Sequence, residues 1–193
     1  MISVNVRPAA LAALLLLAAC ATPRPVIGPS VEPFRAGAEP GELIHKDSGF
    51  AFPARIGSFA RFQGYQYDRT GRDISVGYNG DIPSVVTVYV FPTDGTDLEA
   101  ALTSQSAGVL AAYPDAKLLE RKTVHVTPED ISAESVSFAF SAEFAGREQA
   151  LHSELVLARV GDRFVKYRIT YPERLADLAA SDSSKFLEHF AWP

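Results

Sequence analysis

Four histidines, one cysteine and a scatter of serines and acids are the side chains of this 193-residue sequence with chemistry to offer. His45, His125, His152 and His189 share no metal-ligand spacing and read as solvated or hydrogen-bonded groups. Ser58 and Ser75 stand in turn or strand contexts, and no G-x-S-x-G elbow presents a nucleophile. Glu129-Asp130 beside Pro128 is an adjacent acid pair, but it reads as a loop, without the burial that general acid–base work requires. Asp94-Gly95-Thr96-Asp97 lacks the alternate ligands and closing Glu of a calcium loop. Gly71, Gly77 and Gly80 punctuate hairpins rather than cradle a phosphate. The pattern assigns no catalytic residue, no metal ligand and no cofactor, and the expected class is non-enzymatic.

One charged stretch stands out. Arg55, Arg61, Arg69 and Arg72 alternate with Phe59, Phe62, Tyr65 and Tyr67. Interleaved guanidinium and aromatic groups can hold an anionic sugar, a lipid headgroup or nucleic acid, so Arg55, Arg61, Tyr65, Tyr67, Arg69 and Arg72 form the candidate binding surface. The competing reading is a half-buried strand whose arginines pair with Asp68 and Asp73. The whole chain carries a net charge of −5, which argues against a nucleic-acid partner.

The single cysteine, Cys20, follows an apolar run from Ala9 to Ala19 that is preceded by Arg7. Eleven apolar residues are too few to span a bilayer and fit the apolar part of a secretory signal. Leu17-Ala18-Ala19-Cys20 resembles the bacterial lipobox. The resemblance implies cleavage after Ala19, a diacylglyceryl thioether on Cys20 and an acylated (palmitate-type) amine, together enough acyl chain for a permanent membrane anchor. It also implies residence in the cell envelope. Ala21 is not the aspartate of the enteric retention signal, so the expected destination is the outer membrane, facing the periplasm.

Behind these residues the chain divides into a signal peptide (1–19), a Pro/Gly-rich tether (20–48) and a globular domain (49–193). The tether reading rests on Pro23, Pro25, Pro29, Pro33 and Pro40 alternating with Gly28, Gly37 and Gly41. Alternation then predicts strands over 49–53, 59–68, 73–79 and 84–91, with Phe59, Tyr65 and Tyr67 on one face of the second. Thr96 with Glu99 forms a capping-box pattern for a helix ended by Pro114. Strands are expected over 117–126, 134–144, 148–160 and 163–171, the last three a meander. A tail helix over 173–190 has a possible break at Ser181-Asp182-Ser183-Ser184. The fold class is α+β, an antiparallel sheet packed with helices.

The opening Gly49-Phe50-Ala51-Phe52-Pro53, the strand Phe164 to Pro172 and the closing Phe186-Leu187 resemble the PsbP/Mog1-type fold. That family holds photosystem accessory proteins, a nuclear-transport cofactor and many bacterial proteins. Most are binding or assembly factors, so the resemblance implies an envelope protein partner rather than a reaction. The alternative is a small-molecule or lipid carrier, its aromatic-rich sheet leaving an apolar pocket under the helices. Mass spectrometry of the mature protein is expected to find an amino terminus at Cys20 carrying a diacylglyceryl group and an N-acyl chain; an unmodified chain starting at Met1 would overturn the anchor.

Overall fold

The computed structural model describes residues 31–126 and 131–193; Cys20, the signal-like run and Glu129-Asp130 lie outside them. The fold is α+β. Eight antiparallel strands form the main sheet: β4 (Arg55–Ile56), β5 (Phe59–Gln66), β6 (Ile74–Gly80), β7 (Val85–Pro92), β8 (Lys117–Val126), β9 (Ile131–Phe144), β10 (Arg147–Val160) and β11 (Arg163–Pro172). Their order is β4-β5-β6-β7-β11-β10-β9-β8. The expected meander is present as β9-β10-β11, and β7 docks against its last strand through eight residue pairs from Arg163–Pro92 to Thr170–Val85.

Two-residue alternation sorts the side chains into two cores. On one face the register aligns Tyr78, Val86, Ile169 and Glu154, and beside them Val76, Val88, Tyr167 and Val156. Helix α2 (Ala176–His189) closes this face. Phe186 meets Phe59 and Tyr78 edge-on with ring centroids 5.2 and 5.1 Å apart, and Phe190 meets Tyr167 at 5.8 Å. Past the helix, Trp192 Nε1 donates to Tyr167 Oη at 2.7 Å. On the other face, helix α1 (Leu98–Ala112) sets Leu102 and Val109 against Val136, Phe138, Leu155 and Leu157. Tyr113, just past the helix, stacks on Phe140 at 3.9 Å.

Local chemistry moves three of the sequence expectations. The N-cap of α1 is Asp97, not Thr96: the Asp97 carboxylate accepts from Ala100 N–H at 2.7 Å, while Thr96 N–H closes a turn to Thr93. Glu99 pairs with Arg121 instead of completing a capping box. Helix α2 runs unbroken through Ser181 to Ser184 after a 3₁₀ turn at Glu173–Leu175. Ser183 faces inward on the stripe of Ala179 and Phe186, and Asp182 accepts from Ser58 Oγ at 3.1 Å, while Ser181 and Ser184 face solvent. In β5 a register shift between Arg61 and Gln63 reverses the alternation. Tyr65 pairs with Ser75 on the α1 face, whereas Phe59 lies under α2.

The tether expected over 20–48 does not extend through its last part, because residues 31–48 are folded. Strands β1 (Phe34–Ala36), β2 (Leu43–His45) and β3 (Ala51–Phe52) form a small antiparallel sheet. Pro40 and Gly41 belong to a hairpin turn, with Gly41 at φ +76° and Gly37 N–H bonded to Glu42 O at 2.9 Å. Phe34 meets Phe52 edge-on at 6.1 Å. His45, placed in the tether by the sequence, is fully buried. Its Nε2–H donates to Gly71 O at 2.6 Å, which makes Nδ1 the acceptor for Ser48 Oγ at 2.6 Å. Asp47 pairs with both Arg163 and Arg72. Arg61 donates to the carbonyls of Phe52 and Gly41, bolting this small sheet to β5. We expect Arg61→Ala to cost about 2 kcal/mol in urea denaturation, because it strips two charge-assisted bonds. Arg55→Ala, which loses an exposed pair to Asp81, is expected to stay within about 0.5 kcal/mol of wild type.

Candidate functional site

The binding surface expected from the arginine cluster does not assemble as one patch. Arg55 pairs with Asp81 at 3.2 Å, Arg61 serves the small sheet, and Arg72 lies 3.7 Å from Asp47 and 3.9 Å from Asp162. The acids that take these guanidinium groups are therefore not the expected Asp68 and Asp73. Arg69 is exposed at the far end of the β5–β6 hairpin. The bulge in β5 is the physical reason for the split, since it sends Arg61 to one face and Tyr65 to the other.

Tyr65 and Tyr67 instead join a second group of residues on the α1 face, beyond the reach of α1. The register aligns Tyr65, Ser75, Tyr89, Lys166 and Leu157 across β5, β6, β7, β11 and β10. Tyr67 Oη shares a hydrogen bond with Ser75 Oγ at 2.9 Å, and its ring stacks on Tyr89 at 6.2 Å. Tyr65 Oη donates to Gln63 Oε1 at 2.8 Å. Phe62 lies over Gly77, where an added Cβ would meet its ring at 2.7 Å, and remains 45% exposed. Lys166, although 5% exposed, donates from Nζ to Gln105 Oε1 of α1 at 2.7 Å and sits 3.8 Å above the Tyr89 ring. A single layer of aromatic and polar side chains thus covers this half of the face.

The opposite quadrant is concave. Between α2 and strands β8 to β11 opens a cleft of about 340 Å³. His152 and Tyr171 stack at its floor, ring planes 13° apart and centroids at 5.1 Å. Glu154 accepts from Ser135 Oγ below it. Ser183 lines it from the helix, with a buried Oγ that has no hydrogen-bond partner among the described residues. Burial lowers the His152 pKa and raises that of Tyr171 to about 12, so both are neutral at pH 7. Sequence reasoning placed His152 among polar neighbours and missed Ser183. Its signal was available: Ser183 falls four residues after Ala179 and three before Phe186, on the apolar stripe.

A reactive set is a separate matter. No hydrogen bond joins Ser183 to His152, so the nucleophile–base contact is not made in this cleft. A serine–histidine contact does occur at Ser48–His45, but there the ring is enclosed and both its nitrogens hold the chain in place. Among the described residues no group of three or more His, Cys, Asp or Glu side chains could hold a metal ion. No protein-family model matches the chain, and no curated protein matches it either.

Asp73 stands at the rim of the tyrosine layer. Burial, reinforced by Asp68, pushes its carboxyl up to about 6. A carboxyl that holds its proton more tightly when folded destabilises the protein as pH rises from about 4 through 6. Asp73→Asn is therefore expected to raise the melting temperature at pH 7, with the gain shrinking below pH 6 and gone near pH 4. A gain that does not vary with pH would show that burial of the charge is not its cause.

Proposed function

We propose that this protein is a lipid-anchored envelope module that captures another protein and carries out no reaction itself. The reading joins the Leu17-Ala18-Ala19-Cys20 pattern, outside the described residues, to one structural observation: half of a sheet face carries tyrosines and Phe62 but no helix. Aromatic side chains with polar tips are the groups most often found at the centre of protein interfaces. The finer fold reading, a PsbP/Mog1-type domain, is supported by an antiparallel sheet with one helix on each face and by Phe186 at the centre of the α2 core. The outer membrane, with the domain in the periplasm, is the location that fits the absence of aspartate after Cys20.

The carrier reading has a weaker basis. The rings that would line an apolar pocket pack on one another instead, with Phe50, Phe52, Phe59, Phe186 and Phe190 all buried. The cleft under α2 mixes apolar Val124, Ile169 and Leu187 with Glu120, Glu154 and Glu188, and its carboxylates disfavour a lipid chain.

Crosslinking in intact cells tests capture directly. Wild type is expected to yield one dominant partner. The double variant Phe62→Ala/Tyr65→Ala is expected to lose that product about tenfold while melting within a few degrees of wild type. Equal recovery from both proteins, or no dominant product from wild type, would end the proposal.

A further inference from the structure

We propose that the cleft between α2 and strands β8 to β11 receives an ammonium or guanidinium group, presented by a free polyamine or by the basic side chain of a peptide. The cleft lies on the face of the sheet opposite the tyrosine layer, so it stands or falls independently of protein capture there.

Charge gives the sign of the ligand. Glu120, Glu154 and Glu188 face the cleft. Lys122 is the lysine there, and its Nζ sits 3.4 Å from Glu120, so those two charges offset each other. Among the described residues, neither Glu154 nor Glu188 is paired with a lysine or arginine. His152 on the floor, whose pKa burial lowers, adds no permanent positive charge to counter them. An anion entering this space meets two carboxylates at close range, whereas a cation is drawn in.

Hydrogen bonding points the same way. An ammonium offers three donors and no acceptor, and a guanidinium five donors. The cleft supplies acceptors. Ser183 Oγ is buried with no partner. Glu154 has one oxygen engaged by Ser135, which leaves the other free to accept. Neutral His152 offers one ring nitrogen, and its stack with Tyr171 presents an aromatic surface that favours a cation. A buried hydroxyl without a partner is destabilising in water-free surroundings. A donor arriving from a ligand removes that cost, which makes Ser183 more than a packing residue. The floor is held rigidly: Glu154 lies in register between Ser137 and Ile169, and Ser135 fixes its carboxylate. A preorganised acceptor set loses little conformational freedom on binding.

Isothermal titration calorimetry on the mature chain in detergent tests this with four probes: spermidine, a capped trilysine peptide, glucose and citrate. Saturable binding of spermidine or of the peptide is expected, and which of the two binds identifies the source of the cation. Glucose and citrate are expected not to bind. Glu154→Gln should weaken binding at least about fivefold. Ser183→Ala should weaken it about threefold while holding or raising the melting temperature, because it removes an unsatisfied buried hydroxyl. That opposed pair of effects separates a ligand contact from a structural one. Failure of both cations to saturate, citrate binding as well as spermidine, or full affinity in both variants would each overturn the proposal.

Discussion

Strands lie about 4.8 Å apart, so eight of them side by side span roughly 35 Å, whereas a helix with its side chains is about 10–12 Å across. One helix on each face therefore leaves most of each face to be covered by something else. The described residues place one helix on each face, and the two sit off-centre in opposite directions. Helix α2 reaches toward Phe59 and Tyr78 on the β5–β6 side, and α1 lies against Val136, Phe138 and Leu155 on the β9–β10 side. The offset divides the sheet into four quadrants, two under helices and two without.

Each uncovered quadrant has its own solution. Over β5 to β7 the strands shield themselves, with flat aromatic rings lying across a small-residue floor of Ser75 and Gly77. Lys166 at the boundary has its aliphatic stem buried and its charge satisfied by Gln105 and the Tyr89 ring. Over β8 to β10 the floor turns polar, with Ser135, Ser137, His152 and Glu154 in place of the valines of the neighbouring strands. The small sheet β1–β3 completes the α2 core beside Phe190 and Trp192, which is why a segment so rich in proline and glycine is tied down by His45, Asp47 and Arg61.

Much of the main sheet was legible because its signal is two-residue alternation: Val136, Phe138 and Phe140 of β9 enter one core, and Val165, Tyr167, Ile169 and Tyr171 of β11 enter the other. The β9-β10-β11 meander follows from it, and the helix over 98–112 from apolar residues at helical spacing with Pro114 beyond them; together they give the fold class. What was not legible depends on single residues that alternation does not see. One bulge at Arg61–Gln63 reverses the facing of Tyr65 and scatters the arginine cluster. Residues 34–45 read as linker because their apolar side chains are few, yet Phe34 and Leu43 each find the core, and His45 gains two hydrogen bonds. The cleft was invisible for a different reason: His152, Tyr171 and Ser183 are brought together by strand register and by the angle of α2, neither of which sequence spacing encodes.

Folding of residues 31–48 also changes the mechanics of the proposed anchor. A tether running from Cys20 to residue 48 would reach close to 90 Å when extended, at about 3.1 Å per residue. With the chain held from Val31, whose N–H bonds to Arg69 O at 3.2 Å, the same geometry allows roughly 35 Å. That is comparable to the width of the domain's own sheet, so a lipid at Cys20 would keep the domain beside the membrane rather than far from it. It would also hold it by one end: Val31 enters at the β5–β6 hairpin, where Arg69 and Gly71 lie, and the tyrosine layer begins two residues before Arg69, at Tyr67. A partner gripping Tyr65 and Tyr67 would then be engaged close to the lipid surface, which favours a membrane-associated protein over one free in the surrounding space.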